Sequence, residues 1–330
     1  MILSLDGGAT KTVAVVLDDD NNQIRGVGVS GPANLIAISK EVAESNIMKA
    51  VNDALDDASI SIRGLKAGIF GLSGMGDSRE LDNEGVKLVH RLTSREDFFV
   101  VNDGLPAFAL AHMERDGIVF AGGTGSVAYY RLHGTTRRIG GWNWFVGDDG
   151  SAAWIAKRAL NIATLEYDGI YPEREIVDEV EKYFGLEFRE AIAFVDKHQD
   201  KRLVSGFAPR VSQLAKSGYA RAAGIMKESA EYVSGVVIAL SKKFSSQPEI
   251  SLIGGTMQAG KAYTSLIEKK TGCRMKIFYG YQVAIGGLIT LLINNGIQVT
   301  ESLRDNMVEQ MDNILRRKGR KYWGEFINVD

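Results

Sequence analysis

Apolar residues along this chain gather into short runs that end at glycine, and two of these runs share one plan. Residues 2–5 lead through Asp6-Gly7-Gly8-Ala9-Thr10-Lys11-Thr12 into the β-rich stretch 13–17, and residues 118–121 lead through Gly122-Gly123-Thr124-Gly125-Ser126 into 127–130. Each predicts a β-hairpin with a glycine bend. A bend without side chains lets successive N–H groups converge on one point as an anion nest, and Thr10, Lys11, Thr12, Thr124 and Ser126 add donors around it. Two such nests facing each other would clamp a polyphosphate.

Strand and helix periodicities alternate through the first half. Residues 23–29 predict a third strand and 40–58 a helix, with Val42, Ile47, Val51, Ala54 and Leu55 at helical spacing. Residues 67–72 form a short buried strand, 84–92 a helix, 98–102 a buried strand and 104–115 a helix. The second half is richer in helix, at 152–165, 173–183, 211–217, 220–244, 282–294 and 306–318, with one more strand at 250–253. This alternation indicates an α/β layer fold. The opening hairpin recurs 115 positions on (Gly7 to Gly122), which suggests two domains of related topology with a ligand held between them. The expected division is 1–115 and 116–303, with a C-terminal helix of about 304–318 packing back on the first domain.

Composition narrows the function classes. The chain has 330 residues, 45% of them apolar, enough for two packed cores. A net charge of −2 gives no global reason to expect nucleic acid or a membrane surface as partner. Arg316, Arg317, Lys318, Arg320 and Lys321, broken by Gly319, read as the cationic end of a helix. Cys273 is the single cysteine, and the four histidines lack ligand spacing, so metal chemistry runs through carboxylates and phosphates, as suits magnesium. No apolar stretch approaches a membrane span, and Asp6 interrupts the first run too early for a signal peptide, so a cytoplasmic protein is expected.

Five segments carry candidate chemistry. The 6–12 bend lacks the Gly-Lys-Ser/Thr of a Walker A loop and leads into a strand rather than a helix, so it reads as a hairpin phosphate loop, with Asp6 placed to hold hydrated magnesium. The glycine density at 122–126 favours close approach of a ligand over a plain turn. Asp103, after the apolar run 98–101, reads either as a general base for an attacking hydroxyl or as the N-cap of the next helix. In 140–151 Asp148 is expected to grip sugar hydroxyls, Asp149 or Ser151 to cap the next helix, and Trp142 and Trp144 to lie in the core. Gly254 and Gly255, closing the strand 250–253, would let an adenine slide against backbone.

Taken in order, these segments resemble the ATPase superfamily of sugar kinases, heat-shock chaperone ATPase domains and actin. The phosphate-1 motif is matched by 6–12, the first connecting motif by 101–107, phosphate-2 by 119–126 and the adenosine motif by 251–258. Gly-Gly-Trp followed by Gly-Asp-Asp-Gly-Ser and Trp154-Ile155-Ala156 resembles the N-acetylglucosamine kinase and BadF/BadG-type branch. The resemblance implies two actin-like, ribonuclease H-like ATPase domains with a central interdomain cleft, and ATP with Mg2+ as cofactors. It implies Asp103 as the catalytic base, with Asp6, Gly7, Gly8, Thr10, Lys11, Gly123 and Thr124 at the phosphates and Gly254 and Gly255 at the adenosine. It also implies Asn34, Ser73 and Asp148 at the sugar. After Gly-Thr-Gly-Ser those kinases usually carry asparagine where this chain has Val127, so the acceptor is left between N-acetylglucosamine, a glucose-type hexose and a sugar acid such as 2-keto-3-deoxygluconate. Tyr129, Tyr130 and Arg131 lie nearby in sequence, and an arginine would suit a carboxylate on the acceptor.

The expected function is therefore ATP-dependent phosphorylation of a small sugar or sugar acid. The alternative is an ATP-driven activator or regulatory ATPase of the BadF/BadG type without a sugar acceptor. The activators hold an iron–sulfur cluster between subunits with two cysteines from each, and Cys273 alone cannot supply them. Sequence does not fix the oligomeric state, a homodimer included.

Overall fold

A computed structural model describes residues 1–35, 38–76 and 78–319. The chain divides into two compact units, one formed by residues 1–116 together with the described residues from 278 on, the other by 117–277.

The first unit is built on a five-stranded sheet. Its strands are β1 (Ile2–Gly7), β2 (Thr12–Asp18), β3 (Gln23–Ser30), β4 (Ala67–Leu72) and β5 (Phe99–Asn102), in the order β3-β2-β1-β4-β5. β1 pairs antiparallel with β2 and parallel with β4, β2 pairs antiparallel with β3, and β4 pairs parallel with β5. β1 and β2 are buried along their whole length, which is why they read as unbroken apolar runs rather than alternating ones. Leu3, Leu5, Val16 and Phe70 pack against Ile47 and Val51 of the helix Lys40–Asp57 and Leu88 and Val89 of the helix Arg79–Thr93. β5 departs from expectation: it is the sheet edge, and Phe99 is exposed, while the buried Phe98 precedes the strand.

The second unit repeats the plan. Its strands β6 (Gly117–Gly122), β7 (Ser126–Leu132), β8 (Thr135–Gly140), β9 (Ile250–Ile253) and β10 (Lys276–Phe278) lie in the order β10-β9-β6-β7-β8. The first three form an antiparallel meander, and β9 joins β6 in parallel. With β6 set against β1, this is the same strand order, so the recurring hairpin marks a true repeat of topology. Tyr129 and Tyr130 are buried within this sheet, Tyr130 edge-on to Phe244 at 6.5 Å, which makes them core residues.

The return to the first unit comes at residue 278, earlier than 303. The cause is the helix Val283–Asn294, apolar on nearly every side and buried from Val283 to Leu292. It sits so close to the first sheet that a Cβ on Gly287 would lie 2.1 Å from Ser4 Oγ, and one on Gly286 1.8 Å from the Pro106 carbonyl. The helix Glu301–Arg317 follows, capped by Thr300. It covers the β3 edge: Gln310 Oε1 accepts from the Ile24 N–H at 2.8 Å, and Lys318 Nζ donates to the Val27 carbonyl at 2.6 Å. Edge groups that would otherwise invite another strand are thereby satisfied. Arg316 and Arg317 fall in the last turn and Gly319 has φ +85°, the chemistry of a helix end; Arg320 and Lys321 lie outside the described residues. Among the described residues no helix is long and apolar enough to cross a membrane.

Candidate active site

Both glycine bends close antiparallel hairpins, Gly7 opposite Thr12 and Gly122 opposite Ser126. None of Gly7, Gly8, Gly122, Gly123 or Gly125 has a left-handed φ, and lack of space accounts for glycine at Gly7, Gly122 and Gly125 alone. A Cβ on Gly7 would meet Leu72 Cδ2 at 2.7 Å, whereas one on Gly123 would meet nothing within 4 Å. Gly123 thus leaves its bend open to an approaching ligand.

The nests are smaller than the sequence suggests. Gly8 N–H donates to the Lys11 carbonyl at 3.0 Å, and Gly123 N–H to the Gly125 carbonyl at 2.8 Å, so the first amide of each bend closes its own turn. Two hydroxyls expected as phosphate donors are also engaged in the fold. Thr12 Oγ1 donates to the Gly31 carbonyl and Ser126 Oγ to the Asp149 carbonyl, both at 2.8 Å, because each residue is buried at a strand start and needs a partner there.

In the first unit, three further segments gather on the Gly7–Gly8 bend. Ala33 N–H donates to the Gly8 carbonyl at 3.1 Å and Ser73 N–H to the Gly7 carbonyl at 3.0 Å. These backbone bonds bring Asn34 and Ser73 together, with Asn34 Nδ2 donating to Ser73 Oγ at 3.2 Å. Asp103 comes in from the end of β5. A Cβ on Gly71, beside Asp6 across the β1–β4 ladder, would lie 3.6 Å from Asp103 Cα.

Asp103 occupies the N-cap position of the helix Gly104–His112 but makes no capping hydrogen bond. Asn102 does that work, its Oδ1 accepting the Gly104 N–H at 2.9 Å while its Nδ2 donates to the Met75 carbonyl. Of the two sequence readings of Asp103, the side-chain cap is the one that fails.

The electrostatics of this cluster are those of charges held in a dry place. Asp6, 8% exposed, has its pKa raised well above the usual carboxylate value, first by burial and then by the Asp103 charge, with Lys11 opposing. Burial lowers Lys11 to about 8 against the pull of Asp6. Its ammonium stands 5.6 Å from the centre of the Tyr281 ring, a partner that sequence spacing could not reveal. Asp6 and Asp103, like charges on hard oxygen donors, fit a divalent cation that would relieve their repulsion. Asp18, Asp19 and Asp20 also cluster, but Arg25, Lys66 and the N-terminal amine already neutralise them.

In the second unit, the start of the helix Ala152–Tyr167 is tied to the glycine bend. Ala152 N–H donates to the Gly123 carbonyl at 2.9 Å and Ala153 N–H to the Thr124 carbonyl at 3.3 Å, while Ser151 Oγ caps the helix at Trp154 N–H. The loop 141–147 corrects one expectation: Trp142 is 74% exposed and Trp144 only partly buried, since the turn closed by Gly147 N–H on the Asn143 carbonyl lifts them out of the core. Asp148 is buried and its Oδ2 accepts from Lys201 Nζ at 2.6 Å. Lys201 is the residue that sequence reasoning missed, one of two lysines in the polar stretch 196–202, outside every motif.

Gly254 and Gly255 differ in kind. Gly254 has φ +117° and backs onto Gly122, whose carbonyl also accepts from Thr256 Oγ1 at 2.8 Å; a Cβ on Gly255 would meet nothing within 4 Å. The structure thus joins the candidate adenosine turn to the candidate phosphate bend.

A paired arrangement of meander-plus-parallel sheets with glycine bends and buried carboxylates defines an actin-like ATPase fold, and the comparisons agree. The model of the BadF/BadG/BcrA/BcrD ATPase family matches residues 3–290, and the chain belongs to that family. It is 29% identical over 168 residues to an N-acetylmuramic acid/N-acetylglucosamine kinase of Clostridium acetobutylicum, covering 51% of this chain and 54% of that protein. The match therefore spans about half that relative's length. It is 25% identical over 242 residues to the glucosamine kinase GspK of Vibrio cholerae, covering 73% of this chain and 80% of that protein. A candidate N-acetylglucosamine kinase from Chromobacterium violaceum has the same fold, with a TM-score of 0.71 at 20% identity over 88% of this chain and 98% of that one.

Proposed function

We propose that this chain is an ATP-dependent kinase that transfers the γ-phosphate to a hydroxyl of a small sugar, with Asp103 as general base. The observation that carries the reading is the gathering of Asp6, Asp103, Asn34 and Ser73 on the Gly7–Gly8 bend, which sets a candidate base and two neutral polar side chains beside a candidate phosphate loop. Asn34, Ser73 and Asp148 are assigned to the acceptor. Thr10, Lys11, Gly123 and Thr124 are assigned to the phosphates, and Gly254 and Gly255 to the adenosine.

In this reading Asn34 and Ser73 orient the acceptor so that one hydroxyl faces Asp103, whose carboxylate takes the proton as that oxygen meets the γ-phosphate. Lys11 balances phosphate charge from within a low-dielectric pocket, where its ammonium counts for more than in water. Asp6 would hold Mg2+, which supplies charge neutralisation on the phosphates. The reaction is assigned to the cytoplasm, where ATP is supplied.

Relatives named for amino-sugar and N-acetylmuramic acid kinase activity favour an amino sugar or its N-acyl derivative as acceptor, with glucose and 2-keto-3-deoxygluconate next. The activator reading lacks its chemistry: Cys273, the one cysteine, is partly buried and hydrogen-bonded to Thr271 and Gln247. The test is ADP release measured against N-acetylglucosamine, glucosamine, N-acetylmuramic acid, glucose, mannose, gluconate and 2-keto-3-deoxygluconate. Acceptor-dependent turnover with at least one supports the kinase; ADP release that ignores every acceptor refutes it.

A further inference from the structure

The second glycine bend has a cation of its own, supplied from outside every motif. Lys201 opens the short helix Lys201–Ser205, which Asp200 caps through the Arg202 and Leu203 N–H groups. Its Nζ reaches Asp148 Oδ2 at 2.6 Å, and the two groups meet directly against Gly125. A Cβ on Gly125 would lie 2.6 Å from each of them. Gly125 does not have a left-handed φ, so what a side chain there would meet is this ion pair and not a backbone restriction.

The pair is lopsided. The Asp148 side chain is 4% exposed and that of Lys201 31%. A carboxylate that deeply buried is costly unless it is paired, so Lys201 is held in place by a charge with nowhere else to go. An ammonium has three donors, and Asp148 Oδ2 takes one of them. The others remain on a side chain that is only partly buried, at the edge of a bend that already leaves Gly123 open.

We propose that Lys201 binds the nucleotide phosphates at the 122–126 bend, and that Asp148 is the positioning carboxylate that holds it there. The inference rests on the kinase reading above and extends it: Lys201 would serve this bend as Lys11 serves the 7–12 bend.

The experiment is calorimetric titration of wild type, Lys201→Met, Lys201→Arg and the double variant Asp148→Asn/Lys201→Met with Mg·AMPPNP, with adenosine as the phosphate-free control. Lys201→Met should weaken AMPPNP binding by about tenfold or more, the scale of one lost charge-assisted contact, and leave adenosine affinity within about twofold. Lys201→Arg should recover most of the loss. The double variant removes both charges, so it keeps its melting temperature near wild type even where the single variant unfolds, and it should bind AMPPNP weakly as well. Wild-type AMPPNP affinity in the double variant, or equal losses for AMPPNP and adenosine, overturns the assignment of Lys201. A wild-type protein that binds neither ligand overturns the nucleotide reading itself and this inference with it.

Discussion

Gly254 backs directly onto Gly122: a Cβ on the first would lie 2.2 Å from the carbonyl oxygen of the second, and Gly254 holds φ at +117°. One backbone contact thus locks the turn after β9 to the bend after β6. Gly254→Ala should destabilise the protein by about 2 kcal/mol or more, from left-handed strain and a clash with backbone that cannot step aside. Gly255→Ala, with open space around it, should leave the melting temperature unchanged. Thermal denaturation of the two variants side by side checks the contrast.

Gly123→Ala separates ligand approach from folding. Its Cβ would enter open space, so stability should stay within about 0.5 kcal/mol of wild type, the usual range for a surface change. A methyl group at the mouth of the bend should nevertheless weaken ATP binding by about tenfold or more. Equal ATP affinity in the variant, measured by titration, would remove this bend from the nucleotide site.

Lys11 gives the protein a pH signature. In the free protein its ammonium, pushed down to about 8 by burial, loses its proton above that pH. Phosphate oxygens favour the charged form and raise that value again. Nucleotide binding above pH 8 should therefore take up a proton, and affinity should fall by up to about tenfold per pH unit there. Calorimetry at pH 8.5 in buffers of different ionisation enthalpy measures the uptake. Lys11→Met should abolish it.

Asp6 exchanges stability for function. Its folded pKa lies above the unfolded value, so between the two the folded state binds more protons, and stability falls as pH rises through that window. The penalty is fully present once the pH exceeds the folded value. Asp6→Asn should raise the melting temperature by about a few degrees, the response to a kcal/mol or so in a chain this size, while turnover drops by about a hundredfold. Paired melting and activity curves check both directions.

What was legible in the sequence follows physical rules. The sequence bounds β4 and β9 to the residue, because each is a short apolar run stopped by glycine or its neighbour. β8 leaves no mark in the sequence because Thr135–Gly140 is an exposed edge strand with two arginines and no apolar run, and β10 leaves none because three residues carry no period. Apolar spacing marks helix starts late where a cap decides them: Ser78 begins the helix that the spacing predicts from 84, and Thr300 the one that it predicts from 306. The sequence predicts the helix 283–294, but a segment apolar on all sides does not say which sheet it covers, so the expected second domain runs past residue 277, where the unit ends. At the site, glycine-rich bends and strand-end carboxylates announce themselves. Lys201 and Tyr281 reach their partners only when distant segments meet, and no local pattern marks them; Asn102 caps locally, two residues ahead of Gly104, where Asp103 is the equally good cap type beside it.

The account turns on Asp103, and Asp103→Asn tests it most directly. With an acceptor found by the panel, phosphoryl transfer in a single turnover should slow by about a hundredfold or more, the scale of a lost general base, while ATP still binds within about threefold of wild type. Transfer at the wild-type rate in that variant, with ATP bound, would contradict it.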